Sequence, residues 1–201
     1  MNIDSQPCKS KKDISKDNHL QSLVKDYIQW YGDSYNIEDQ WWGDKTLTWT
    51  EAIERAWKSR FQDGKMHSHQ YRVSNKLPEG LKVALDDKVQ PESFEDFQAL
   101  HNWVQSIVGR VRGLGATTAY DVARRLGVWL EIEPIVVYLH AGTAFGARKF
   151  GVKTDTAPLS AFPQEIQVLG ATHAENFLCI YKEQIFPQSL HSTPKGYCIG
   201  N

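Results

Sequence analysis

The sequence is poor in cysteine, with three in 201 residues, and Cys8, Cys179 and Cys198 stand far apart with no C-x-x-C pair. That spacing excludes a readable disulfide framework or zinc ribbon and predicts reduced thiols. It also lacks any apolar run near the roughly 18 residues of a membrane span. The opening segment, Met1 to Asp17, carries four lysines and no apolar stretch of secretory-signal length. A soluble, cytoplasmic protein without a membrane partner is expected. Charge of one sign is missing too: 23 basic residues against 24 acidic leave a net −1, which excludes a protein that coats nucleic acid by overall charge. Strand patterns are scarce.

What the sequence has is aromatic weight and helix signals. Seven Trp, eight Tyr and eight Phe argue against disorder. Residues 1–17 read as a flexible polar leader, 18–186 as a single mainly helical domain, and 187–201 as an irregular tail. Leu20, Leu23, Val24, Tyr27, Ile28 and Tyr31 follow helical spacing, with Asn18 as a cap and Gly32 as a stop; Tyr27, Trp30 and Tyr31 are assigned to the core. Thr48 and Glu51 have capping-box spacing ahead of a helix reaching toward Gly64. A short helix is expected around Leu81 to Leu85. Another is expected from Ser93, with Phe97, Leu100, Val104, Ile107, Val108 and Val111 along one side. Thr117 to Leu126 reads as a helix closed by Arg124, Arg125 and Gly127. Ile135 to Leu139 is too short to tell strand from buried helix, and Thr172 with Glu175 suggests a further capping box. The fold class is mainly α, a single-domain helical bundle.

Between two of these helices lies Val111-Arg112-Gly113-Leu114-Gly115-Ala116-Thr117-Thr118-Ala119. Glycines free the backbone and remove side chains that would keep a ligand away. The following helix starts with unpaired N–H groups and a positive dipole end, which suits a phosphate oxygen. Local charge agrees: residues 101–153 carry a net +4, against −3 for 1–100 and −2 for 154–201. The segment Ile107 to Leu126 resembles the helix-hairpin-helix motif of the DNA-glycosylase superfamily, and the resemblance implies a helix-hairpin-helix that grips one DNA backbone without reading bases. Arg110, Arg112, Gly113, Gly115, Thr117, Thr118, Arg124 and Arg148 are the nucleic-acid-binding candidates it suggests, with duplex DNA as partner and no cofactor. In that superfamily a strand-cleaving Lys would fall at Thr117 and a catalytic Asp at or near Tyr138. A threonine forms no Schiff base, and a phenol is no resting carboxylate. Binding without base excision is therefore the expectation, with no catalytic residue assigned.

The stretch Thr143 to Gly151 echoes Thr118 to Gly127 and follows its own glycine-containing turn, so a tandem hairpin on a second strand is a further expectation. Residues His140 to Gly151 also resemble uncharacterised bacterial proteins, a likeness that implies no function.

Two alternatives come from elsewhere in the chain. His67-Ser68-His69 has the H-x-H spacing of metal hydrolases, and His140 and His173 would complete a site with Glu175 as ligand or general base. Trp41-Trp42 beside Glu38, Asp39 and Asp44 would form an exposed aromatic patch in a protein-interaction module.

Overall fold

The structure is a computed structural model describing residues 11–185, and the side chains of 19–32 and 36–185 within them. The expected tail, 187–201, with Cys8 and Cys198, lies outside the described residues. The described residues are mainly helical with one two-stranded sheet. No helix among them is long and apolar enough to cross a membrane.

Helix α1 spans Lys11–Trp42 and so begins inside the expected leader and passes both Asn18 and Gly32. Gly32 stops nothing because its φ is not left-handed; it is an ordinary helical residue whose cost a long helix absorbs. Leu20, Leu23, Val24 and Tyr27 are buried as the spacing predicts, whereas Ile28 is 52% and Trp30 69% exposed. The apolar stripe is thus narrower than expected. The chain leaves α1 at Gly43, where a Cβ would lie 2.9 Å from Asp39 O and 3.1 Å from Val128; glycine lets the end of α1 close against its neighbour.

Helix α2 (Trp49–Lys58) has the full Thr48–Glu51 capping box and ends at Ser59 in the left-handed region, short of Gly64. After the 3-10 turn Ser68–Val73, α3 (Leu77–Asp86) packs on α2 at Gly80, where a Cβ would sit 2.2 Å from the Trp57 ring. Helix α4 (Phe97–Arg110) starts later than Ser93, which belongs to a 3-10 turn; Asp96 is the cap, accepting from Ala99 N at 2.8 Å. Helix α5 (Ala116–Leu130) runs through Gly127 to Glu131. There the glycine serves packing: its Cβ would stand 2.7 Å from Ile132 O and 3.2 Å from the Phe97 ring.

Strand β1 (Val136–Tyr138) pairs antiparallel with β2 (Thr156–Pro158), resolving the Ile135–Leu139 ambiguity as strand. Helices α6 (Ala141–Arg148), α7 (Gln164–Gln167) and α8 (Gly170–Ile180) complete the described chain. Thr172 and Glu175 lie inside α8, so their spacing marks no cap.

The interior holds two apolar clusters. One is built on α2 to α5 around Trp57, Leu100, Ile107 and Leu126; the other joins α1, α6, α7 and α8 around Tyr27, Ile166, Phe177 and Leu178. Strand alternation connects them: Val136 and Tyr138 face the first cluster, Val137 and Leu139 the second.

Candidate functional site

Helices α4 and α5 pack along each other and are joined by residues 111–115. The turn is closed by Leu114 N donating to Val111 O at 3.2 Å, and the half-buried Leu114 side chain anchors it on the first cluster. Gly113 has φ +101, a conformation that side chains resist. Gly115 is the extended N-cap of α5, no side chain caps that helix, and Gly115 and Ala116 are exposed. The first N–H groups of α5 therefore point outward without an intrahelical acceptor.

The eight predicted binding residues divide sharply. Arg112, Gly113 and Gly115 are exposed on the turn, and Thr117 is half-buried one residue into α5. Arg110 is exposed but forms a bidentate pair with Asp87, at 3.0 and 2.6 Å. Thr118 is turned inward, 3% exposed, its hydroxyl donating to Gln70 Oε1 at 3.3 Å; burial removes it from any phosphate at the turn. Arg124 is two helical turns along α5, paired with Asp39 at 2.6 Å. Arg148 lies exposed at the end of another helix, α6. The expected second hairpin is not an α-hairpin, since α6 is preceded by β1 rather than by a helix.

On one flank of the start of α5 a cavity of about 630 Å³ opens between α4, β1 and α6, lined by Gln98, His101, Ala116, Tyr138 and His140 among others. Tyr138 is 4% exposed and donates to Gln98 Oε1 at 2.8 Å; burial raises its phenol to about 12. His140 is the N-cap residue of α6. Its Nδ1 lies 3.3 Å from the Thr117 hydroxyl and its Nε2 3.5 Å from Glu175 Oε1. Burial lowers His140 to about 4 and raises Glu175 to about 7, the Thr143 hydroxyl bond to Glu175 working in the opposite direction.

On another flank of α5 lies a smaller polar pocket of about 70 Å³, lined among others by His67, His69, Asp121, Arg124 and Glu175. His67 is placed by its backbone N–H donating to Ser59 O at 2.8 Å, and His69 follows in the 3-10 turn. His69 Nδ1 is 3.5 Å from Asp121 Oδ2 on α5. Gln70, fully buried, donates from Nε2 to the same Asp121 oxygen at 2.7 Å. Burial alone would raise Asp121, but the hydrogen bond from His69 and the charge of Arg125 outweigh it and hold the carboxyl at about 2. Burial, helped by Arg125, lowers His67 to about 4; the bond to Asp121 raises His69.

Of the four histidines considered from sequence, His67 and His69 come together, and their partner is Asp121 rather than His140 or His173. His140 is engaged with Thr117 and Glu175, and His173 Nδ1 lies 2.8 Å from the Tyr27 hydroxyl. Asp121 escaped the sequence reading because one aspartate within a helix carries no motif. Its signal was there in Thr118, Asp121 and Arg125 at i, i+3 and i+7, a polar line running between the core residues Ala119, Val122, Ala123 and Leu126. The tryptophan pair forms no exposed patch. Trp42 is 4% exposed beneath Arg125, and half-buried Trp41 stacks on Arg55 while its Nε1 donates to Arg60 O.

Compared with protein-family models, with curated proteins and with solved structures, the chain gives no match.

Proposed function

We infer that this protein holds nucleic acid, duplex DNA first, by the sugar-phosphate backbone at the α4–α5 glycine turn, and does not act on bases. The observation that supports this best is the exposed, uncapped start of α5 behind a left-handed Gly113. Such a helix start offers oriented N–H donors and a positive dipole end to a phosphate oxygen, and exposed Arg112 beside it adds charge. Contacts of this kind position a duplex without reading its sequence. Thr117 and Tyr138, where catalysis would need an amine and a carboxylate, support binding over excision.

Gly115→Asp tests the reading cleanly. The φ of Gly115 is −146, ordinary extended backbone, and a Cβ there meets nothing within 4 Å. Aspartate is also among the best N-cap residues, so the variant should fold and melt no lower than the wild type, while its carboxylate occupies the phosphate position. Binding of a labelled duplex should fall at least tenfold by about 1.4 kcal/mol. Wild-type affinity should itself drop about tenfold between roughly 50 and 200 mM salt if two phosphates are neutralised. Equal affinity of the variant, or indifference to salt, overturns the reading.

A further inference from the structure

We propose that His67, His69 and Asp121 form a binding site for one divalent first-row transition metal ion of the zinc class. One ligand atom from each residue lies within 4.8 Å of the others, and His69 Nδ1 and Asp121 Oδ2 are 3.5 Å apart. A tetrahedral ion with bonds of ~2.05 Å sets its neighbouring ligand atoms about 3.3 Å apart. Binding would draw the ligand atoms together by up to about 1.5 Å; His67 and His69 leave one short segment, and Asp121 faces them from α5.

Three further observations go beyond proximity. His67 Nδ1 is buried with no hydrogen-bond partner, an uncompensated polar atom that coordination through Nδ1 would satisfy. Asp121 is oriented by Gln70, which donates to Oδ2, the oxygen beside His69, at 2.7 Å and is itself held by the Thr118 hydroxyl at 3.3 Å. That is how outer-shell amides fix a ligating carboxylate. Finally, the ligands border a polar pocket of about 70 Å³, room for a water-sized group at a fourth position.

Two neutral imidazoles and one carboxylate leave a bound divalent ion with a net +1; nearby Arg124 is paired with Asp39, whereas Arg125 is held by two neutral acceptors, Ala56 O and Ser59 Oγ, and keeps its charge. Glu38 and Glu175 also line the pocket. Two nitrogens and one oxygen favour zinc, cobalt, nickel or iron over magnesium and calcium, which require oxygen shells.

The test uses the untagged full chain, stripped with a chelator and titrated with Co²⁺ followed by absorbance, then with Zn²⁺, Mg²⁺ and Ca²⁺ by calorimetry. One equivalent of Co²⁺ should bind with ligand-field bands in the visible and be displaced by Zn²⁺, with no comparable Mg²⁺ or Ca²⁺ binding. His69→Ala removes an exposed ring, and Asp121→Asn keeps an acceptor for Gln70, so both should fold; each should weaken Co²⁺ at least tenfold. Gln70→Ala should weaken it by about 10- to 100-fold through the carboxylate alone. Gly115→Asp should bind Co²⁺ like the wild type, so this site and the hairpin stand or fall separately. Lack of stoichiometric Co²⁺ or Zn²⁺ binding overturns the proposal, as does equal binding by the His67→Ala/His69→Ala double variant.

Discussion

The carboxyl of Glu175 lies 3.5 Å from His140 Nε2, and burial moves the two groups in opposite directions. Between about pH 4 and 7 both are neutral, and outside that window only one of the two is charged, so the contact is not an ion pair. Glu175 is 7% exposed and titrates near 7 in the fold against 4.5 ordinarily. The folded state thus binds that proton more tightly, and the associated stability is full below pH 4.5 and lost as pH rises through 7. His140 has the other sign: lowered from 6.5 to about 4, it contributes fully above pH 6.5 and loses stability as pH falls through 4. Between these limits the two nearly cancel. Glu175→Gln, which keeps an acceptor for Thr143, should therefore be more stable than wild type at about pH 8 by on the order of 1–3 kcal/mol. The variant's stability should climb with pH from about 4 to 6.5 and then level off. Urea unfolding across that range measures both, and a variant no more stable than the wild type at the alkaline end would refute the assignment.

At the scale of elements, what was legible depended on which competing use of a residue won. Thr48 with Glu51 marked the start of α2 because both partners of the capping box are local. The apolar side of α4 was readable for the same reason, although Asp96, not Ser93, caps it. Glycine is ambiguous at this scale. Gly127 follows Arg124 and Arg125 in the pattern of a helix stop, yet it sits where α5 touches Phe97 and the Ile132 carbonyl, a tertiary constraint that no local pattern displays. Gly32 differs, since it neither turns nor packs closely: a Cβ there would be 4.0 Å from Ile28. Gly32→Ala should accordingly stabilise the protein by about 1 kcal/mol, read as a higher melting temperature. A lower one would mean that α1 bends or breaks there. The candidate sites show the same division. The glycine turn between α4 and α5 and the histidine pair are sequence-local; Asp121, Gln70 and the inward turn of Thr118 depend on how α5 faces the 3-10 turn, which only the fold determines.

For the whole molecule, the question is whether two apolar clusters make two folding units. Tyr138 is buried in one and Val137 in the other, on adjacent residues of one strand, so neither cluster can dissolve without stripping a wall from its neighbour. Trp57 is buried in the first cluster, with Trp49, Trp103 and Trp129 packed against it, while the second is built around Tyr27, Phe177 and Tyr181. Tryptophan fluorescence therefore reports chiefly on the first, and hydrogen exchange of α8 amides on the second. A single transition with coincident midpoints is expected; separated midpoints would show two independent units.

The alternation of β1 also makes its register against β2 a matter of parity, because the side a strand residue faces is fixed by odd or even position. A slip of one residue would exchange destinations, sending the Tyr138 phenol toward the cluster around Phe177 and leaving Val137 to fill the space under Phe97. A slip of two residues would restore the parity. The connection at 131–135 can absorb a change of length as loops do, whereas an odd insertion within Val136–Tyr138 itself would strip both clusters at once.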